Sequence, residues 1–278
     1  MPKPNSRPVG ELLRVWRQRR RLSQLDLACE ADVSARHLSF VETGRSLPSR
    51  PMLLHLAERL EVPLRDRNAL LVAAGYAPVY SETSLDDPAL RAAREAVQLV
   101  LTGHEPYPAV AVDRHWTLVA ANRAVGPLLA GIASELLRPP ANVLRLSLHP
   151  AGLAPRIANL EQWRAHVLAR LHRQVEITAD PALAALHDEL RGYPVPDGAA
   201  GPDAAAGEQD YAEVVVPLRL RTDWGLLAFF STVTTFGTAV DITLAELAIE
   251  SFFPADSATA EALRRVPAEQ AVVPGPVP

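Results

Sequence analysis

Arg36 lies in an apolar-periodic stretch, residues 35–43, and shares a side with Ala35 and Ser39 once Leu38 and Val41 turn inward. A guanidinium presented in this way can bond guanine O6 and N7 together. Ala35 offers a methyl group to thymine, and Ser39 a hydroxyl that donates or accepts. Gln24, Ser34, Thr43 and Arg45 fall at the ends of two short helical segments. There, polar side chains and backbone N–H groups meet phosphate oxygens. The set is that of base readout flanked by phosphate contacts, and its implied partner is a double-stranded DNA operator.

No comparable set emerges for catalysis. The 8 histidines are scattered, and His166 and His172 are not at the i, i+4 spacing of helical metal ligands. Neither a Gly-rich phosphate loop after a strand nor a nucleophile elbow occurs. Cys29 is the single cysteine, which excludes an intrachain disulfide and a thiolate zinc cage. Catalytic residues, metal and cofactor are therefore not expected.

The readout residues need a pair of crossed helices beneath them. Leu27 and Ala31 line the inner face of the first, Ala28 is small where the helices cross, and Val33, Leu38 and Val41 pack the second back on it. Asp32 stands at the turn, a residue that tolerates the left-handed conformation better than most. This is the helix-turn-helix pattern. Five short helices are predicted: residues 9–20, a Ser23-capped helix to 31, a Ser34-capped helix to about 43 with Gly44 beyond, a Ser49-capped helix to about 60, and one from near Pro63 to before Gly75. They make an all-α module over residues 1–80. Residues 1–78 carry a net charge of +5 and the remainder −9, so the basic module is the one suited to a polyanion.

Residues 82–265 read as an α+β domain with an antiparallel sheet. Asp87-Pro88 opens a helix, strands are predicted at 109–112 and 116–121, a long amphipathic helix at 158–175, and a short one from Asp180-Pro181. Val214, Val216, Leu218 and Leu220 alternate with polar residues as a half-buried strand, and 222–225 reads as a hairpin turn into a strand over 226–236. Residues 243–246 fit a capping box for a last helix. Residues 198–209 read as a flexible loop and 266–278 as a disordered tail. No apolar run reaches the ~18 residues of a membrane helix, and residues 1–7 have no secretory h-region, which places the chain in the cytoplasm. An apolar pocket would draw on Trp163, Val167 and Phe229, with Leu160, Val214, Val216 and Val233 around them. Arg145 and Arg156 are the candidates for gripping a carboxylate.

The run Leu22-Ser23-Gln24, the stretch 33–46, Arg67-Asn68-Ala69-Leu70-Leu71 and Ala73-Ala74-Gly75-Tyr76-Ala77-Pro78 resemble XRE-type regulators of the MmyB-like subfamily. His104-Glu105-Pro106-Tyr107-Pro108-Ala109, Thr234-Thr235-Phe236-Gly237-Thr238 and residues 250–256 are similar to the ligand-binding domain of that subfamily. The resemblance covers residues 8–265. It implies a phage-repressor-like DNA-binding domain followed by a PAS-like domain that takes a small, fatty-acid-like ligand. A medium-to-long acyl chain is expected to bind the second domain, and a homodimer is expected because one recognition helix spans few base pairs. The rival from another class is an enzyme acting on an acyl-type small molecule with an appended DNA-binding domain.

Overall fold

A computed structural model describes residues 8–194 and 215–265. The chain divides into two compact units. The first takes the described residues up to Thr83 together with Thr238–Ala245; the second takes Ser84–Gly237 and the described residues from Glu246 onward. The predicted loop at 198–209, the predicted tail, and Val214 lie outside the described residues.

The first unit contains α1 (Val9–Arg19), α2 (Gln24–Glu30), α3 (Ala35–Glu42), α4 (Arg50–Arg59) and α5 (Leu64–Ala73). Three of the starts are set by serine caps. The hydroxyls of Ser23, Ser34 and Ser49 accept from the backbone N–H groups of Asp26, His37 and Met52. Each cap contributes about 1 kcal/mol by satisfying an otherwise orphaned donor. Asp32 takes φ 50° in the α2–α3 turn, and Gly44 takes φ 73° just past α3. Leu13, Leu27, Leu38, Leu53, Leu56 and Leu70 are fully buried at the centre.

The recognition of one helix by another depends here on charge. Arg17 on α1 donates from Nε to Glu42 Oε1 at 2.6 Å and from Nη2 to Oε2 at 2.8 Å, and both residues are buried. Gln24 at the start of α2 donates to the same carboxylate at 2.8 Å. Arg17 Nη1 also reaches the Leu22 carbonyl at 2.8 Å. One carboxylate thus ties α1, α2 and α3 together. The close approach of α1 to the end of α3 requires Gly10, because a Cβ there would stand 2.3 Å from the Val41 carbonyl oxygen.

In the second unit a short 3-10 turn, Pro88–Leu90, capped by Asp87, leads into α6 (Arg91–Gly103). Strands β1 (Ala109–Val112) and β2 (Leu118–Ala121) follow, then α7 (Ser134–Leu137), α8 (Val143–Leu148), α9 (Leu160–Thr178) and α10 (Pro181–Arg191). β3 (Leu218–Thr222) and β4 (Gly225–Thr235) form a hairpin whose ends pair Thr222 with Gly225. Between β4 and β5 (Ala248–Pro254) the chain makes one helical turn, α11 (Ile242–Ala245), and after β5 comes α12 (Ser257–Arg265). The five strands run antiparallel in the order β2-β1-β5-β4-β3. This is the α+β, PAS-like architecture with helices inserted between β2 and β3.

Several local expectations need correction. Trp116 does not begin β2: it takes φ 67° in the turn before it, and pairing starts at Leu118. β3 starts at Leu218, so Val216 precedes it and packs on the core from a loop. Val233 is 46% exposed, in the stretch of β4 that pairs only with β5. The capping box at 243–246 opens no final helix. Asp241 caps the single turn instead, accepting from Thr243 N at 2.9 Å, while its other oxygen accepts from Thr83 N at 3.1 Å. The chain then runs straight into β5, the central strand.

Burial works to raise the Glu42 carboxyl. The hydrogen bonds from Arg17 and Gln24 and the charges of Arg17 and Arg14 outweigh it and hold the group below its ordinary value of 4.5. A carboxyl lowered by folding stabilises fully above about pH 4.5 and loses that contribution as pH falls through its folded value. Urea titrations should therefore show the first unit weakening below pH 4.5. Glu42→Ala should cost about 3–5 kcal/mol at pH 7, the penalty of leaving Arg17 buried and unpaired. The double change Arg17→Met/Glu42→Met should cost far less than either single loss.

Candidate nucleic-acid interface and ligand cavity

Helix α3 presents Arg36 to solvent, while Leu38 and Val41 are fully buried. Ser39 is half-buried, and Ala35 packs partly on the helical core, which leaves its methyl only partly free. The half-buried Phe40 has a job that periodicity did not assign. Its ring carries the Arg36 guanidinium at 5.4 Å and that of Arg45 at 5.9 Å from its centre. Arg45 is placed by its own backbone, which donates to the Phe40 carbonyl at 2.8 Å. One aromatic ring thus keeps both guanidiniums near it, and cation–π attraction of about 0.5–1 kcal/mol each limits their wandering.

The flanking residues differ in the donors they retain. Ser34 uses its oxygen as the α3 cap and keeps its O–H. Thr43 donates its hydroxyl to the Ser39 carbonyl at 2.7 Å, and Gln24 spends one N–H on Glu42. Ser34 and Arg45 are the better equipped of the four for phosphate.

The second unit contains a partly open cavity of about 110 Å³. Trp163 and Val167 on α9 and Phe229 on β4, all three expected from the sequence, line it, with Leu218 and Leu220 from β3 and Val110 from β1. One end is polar. Arg170 Nη1 donates to Glu250 Oε1 at 2.8 Å, Ser231 Oγ donates to the same oxygen at 2.9 Å, and Arg170 lies 4.4 Å over the Trp116 ring. The Trp116 indole is itself anchored to α9 through Gln174 Oε1 at 2.9 Å. Glu250 stands opposite Val110 in the β1–β5 register, which turns its side chain to the cavity face of the sheet. His166 completes the polar end. Burial and the charges of Arg170 and Arg173, against the pull of Glu250, put its imidazole below the ordinary value and keep it neutral at pH 7.

Arg145 and Arg156 do not line this cavity. Arg145 is bidentate to Glu189 at 2.8 and 2.7 Å, and Tyr193 donates to the same carboxylate. Burial and Glu189 push the Tyr193 phenol up to about 12. Arg156 spends its N–H groups on the carbonyls of Leu128, Ala130 and Arg221. The arginine that does face the cavity, Arg170, and its partner Glu250 escaped the sequence reading. The available signal was a lone glutamate inside the run 248–254, since a carboxylate in a buried strand demands a cation. A more open groove of about 510 Å³ lies against α6 and β2. It is broader and more polar, with Asp86, Arg94 and Glu95 among its lining residues.

The family described as MmyB-like transcription regulator ligand binding domain matches residues 93–266. The chain belongs to this family. A helix-turn-helix domain matches residues 8–70, which covers α1–α4 and most of α5. The regulator therefore joins a DNA-binding helix-turn-helix to a ligand-binding domain. A comparison with curated proteins finds no match. Among the described residues, no helix is long and apolar enough to cross a membrane.

The placement of Arg36 and Arg45 separates their expected effects. Arg36→Ala should relax preference at one base pair, with a loss of about 1–3 kcal/mol on the selected sequence. Arg45→Ala should weaken binding to all sequences alike and reduce the salt slope by about one unit. Phe40→Ala should do part of both. Selection from random DNA together with salt titration reads all three.

Proposed function

We propose that the regulator binds a DNA operator as a homodimer in the cytoplasm, and that a small, fatty-acid-like effector held between α9 and the sheet sets its operator affinity. The observation that carries the effector reading is the cavity: apolar walls with a few convergent polar groups at one end, the usual make-up of a small-molecule site. Base readout is assigned to Arg36 and Ser39, with a lesser methyl contact from Ala35. Phosphate contacts are assigned to Ser34 and Arg45, then to Gln24 and Thr43.

The cavity volume sharpens the effector. Aliphatic cavities of ~150 Å³ admit a molecule the size of benzene. At about 110 Å³ the regulator's cavity is smaller, but it is partly open, so a short chain seats part of its length inside and the rest at the mouth. A long acyl chain needs room beyond that volume, at the mouth or through displacement of lining side chains such as Leu129 and Leu153. Short aliphatic compounds are the first to try.

An effector that binds only the folded form raises stability by about 2.7 kcal/mol at a hundred times its Kd. A short-chain series should therefore raise the melting temperature of the full chain in a concentration-dependent way. Val167→Phe, which fills the cavity from α9, should abolish the shift. An equal shift in the filled variant would move the effector elsewhere. Sedimentation on operator DNA should give two chains per site; a single chain there would remove the homodimer.

A further inference from the structure

The polar end of the cavity already contains both signs of charge. Glu250 is 6% exposed, and its carboxylate meets Arg170 and Ser231, both at Oε1. Arg170 also lies over the Trp116 ring, 4.4 Å from its centre. His166 is the other titratable group lining the cavity; stacked on Trp163 with ring centres 5.6 Å apart, it is neutral and adds no charge. The pair is therefore neutral in sum, with Glu250 Oε2 outside both hydrogen bonds as an acceptor and the Arg170 fork as a donor.

Resting on the effector reading above, and keeping its aliphatic chain while replacing the acid head, we infer that the Arg170–Glu250 pair makes the cavity select a ligand whose polar end is an uncharged donor and acceptor, a hydroxyl or a primary amide, over the carboxylate or ammonium of the same chain. A ligand hydroxyl or amide N–H donates to Glu250 Oε2, and its oxygen accepts from Arg170. Both contacts leave the ion pair in place. A carboxylate must instead take Arg170 away from Glu250, which strands a buried charge, or sit beside Glu250 as a second anion. An ammonium meets the mirror problem at Arg170. Glu250 and Arg170 are then specificity-determining residues, each excluding ligands of its own sign.

The test uses the full chain and four chain-matched probes: hexanol, hexanamide, hexanoate and hexylamine at pH 7. Binding is followed by the fluorescence of Trp116 and Trp163, which both line the cavity. The wild type should bind hexanol and hexanamide at least about tenfold more tightly than either ion, equivalent to about 1.4 kcal/mol. Any apolar cavity disfavours ions to some degree, so the variants decide. Glu250→Gln should raise the affinity for hexanoate relative to hexanamide at least about tenfold, and Arg170→Gln should do the same for hexylamine. Each variant is read only where circular dichroism matches the wild type, and either one suffices. Hexanoate binding to the wild type as tightly as hexanamide, or an order of preference unchanged in the folded variants, would overturn the inference while leaving the cavity as the effector site. If none of the four binds, the effector reading falls and this inference with it.

Discussion

A carboxylate taken out of water has to meet a cation, and this regulator is organised around that constraint in both of its units. Glu42 closes the end of α3 against Arg17, with Gln24 added, so the helix that carries Arg36 has one seat on α1 and α2. Glu250 sits in the central strand and fixes Arg170 of α9 at the sheet. A buried pair adds little net stability over apolar residues of the same volume. What each pair supplies is position: removing one member leaves a charge that tolerates no other arrangement.

The helical unit was legible almost helix by helix because its signals are local. Serine caps, a glycine past α3 and an apolar stripe of period 3.6 each act within a turn or two, and the ends of α1–α5 fall within one or two residues of expectation. The exposure of Arg36 followed from the burial of Leu38 and Val41 alone. The role of Phe40 did not, because it depends on the course of the chain after Gly44, which brings Arg45 back beside the ring.

The second unit was legible in class and less so in its site. Trp163, Val167 and Phe229 could be placed because a helix face and a strand face are periodic. Arg145 and Arg156 were attractive through their type, but Glu189 and three backbone carbonyls claim them, partners far away in sequence. Strand β5 was hidden by a capping-box pattern just before it, which read as the start of a last helix. The glutamate within that strand builds the polar end of the cavity. Such a group is read correctly only when its partner, 80 residues away on α9, is known.

The chain itself joins the two activities. The turn Ile242–Ala245 belongs to the helical unit, and the strand holding Glu250 begins at Ala248, after two intervening residues. A ligand shifts a conformational equilibrium only by its difference in affinity for the two states. Binding linkage is reciprocal, so if the effector changes operator affinity by a given factor, operator DNA must change effector affinity by the same factor. The direct measurement is the Kd of the best-bound cavity ligand, with and without saturating operator DNA. The account predicts two different values whose ratio equals the ligand's effect on operator binding. Identical values in the two conditions would contradict it.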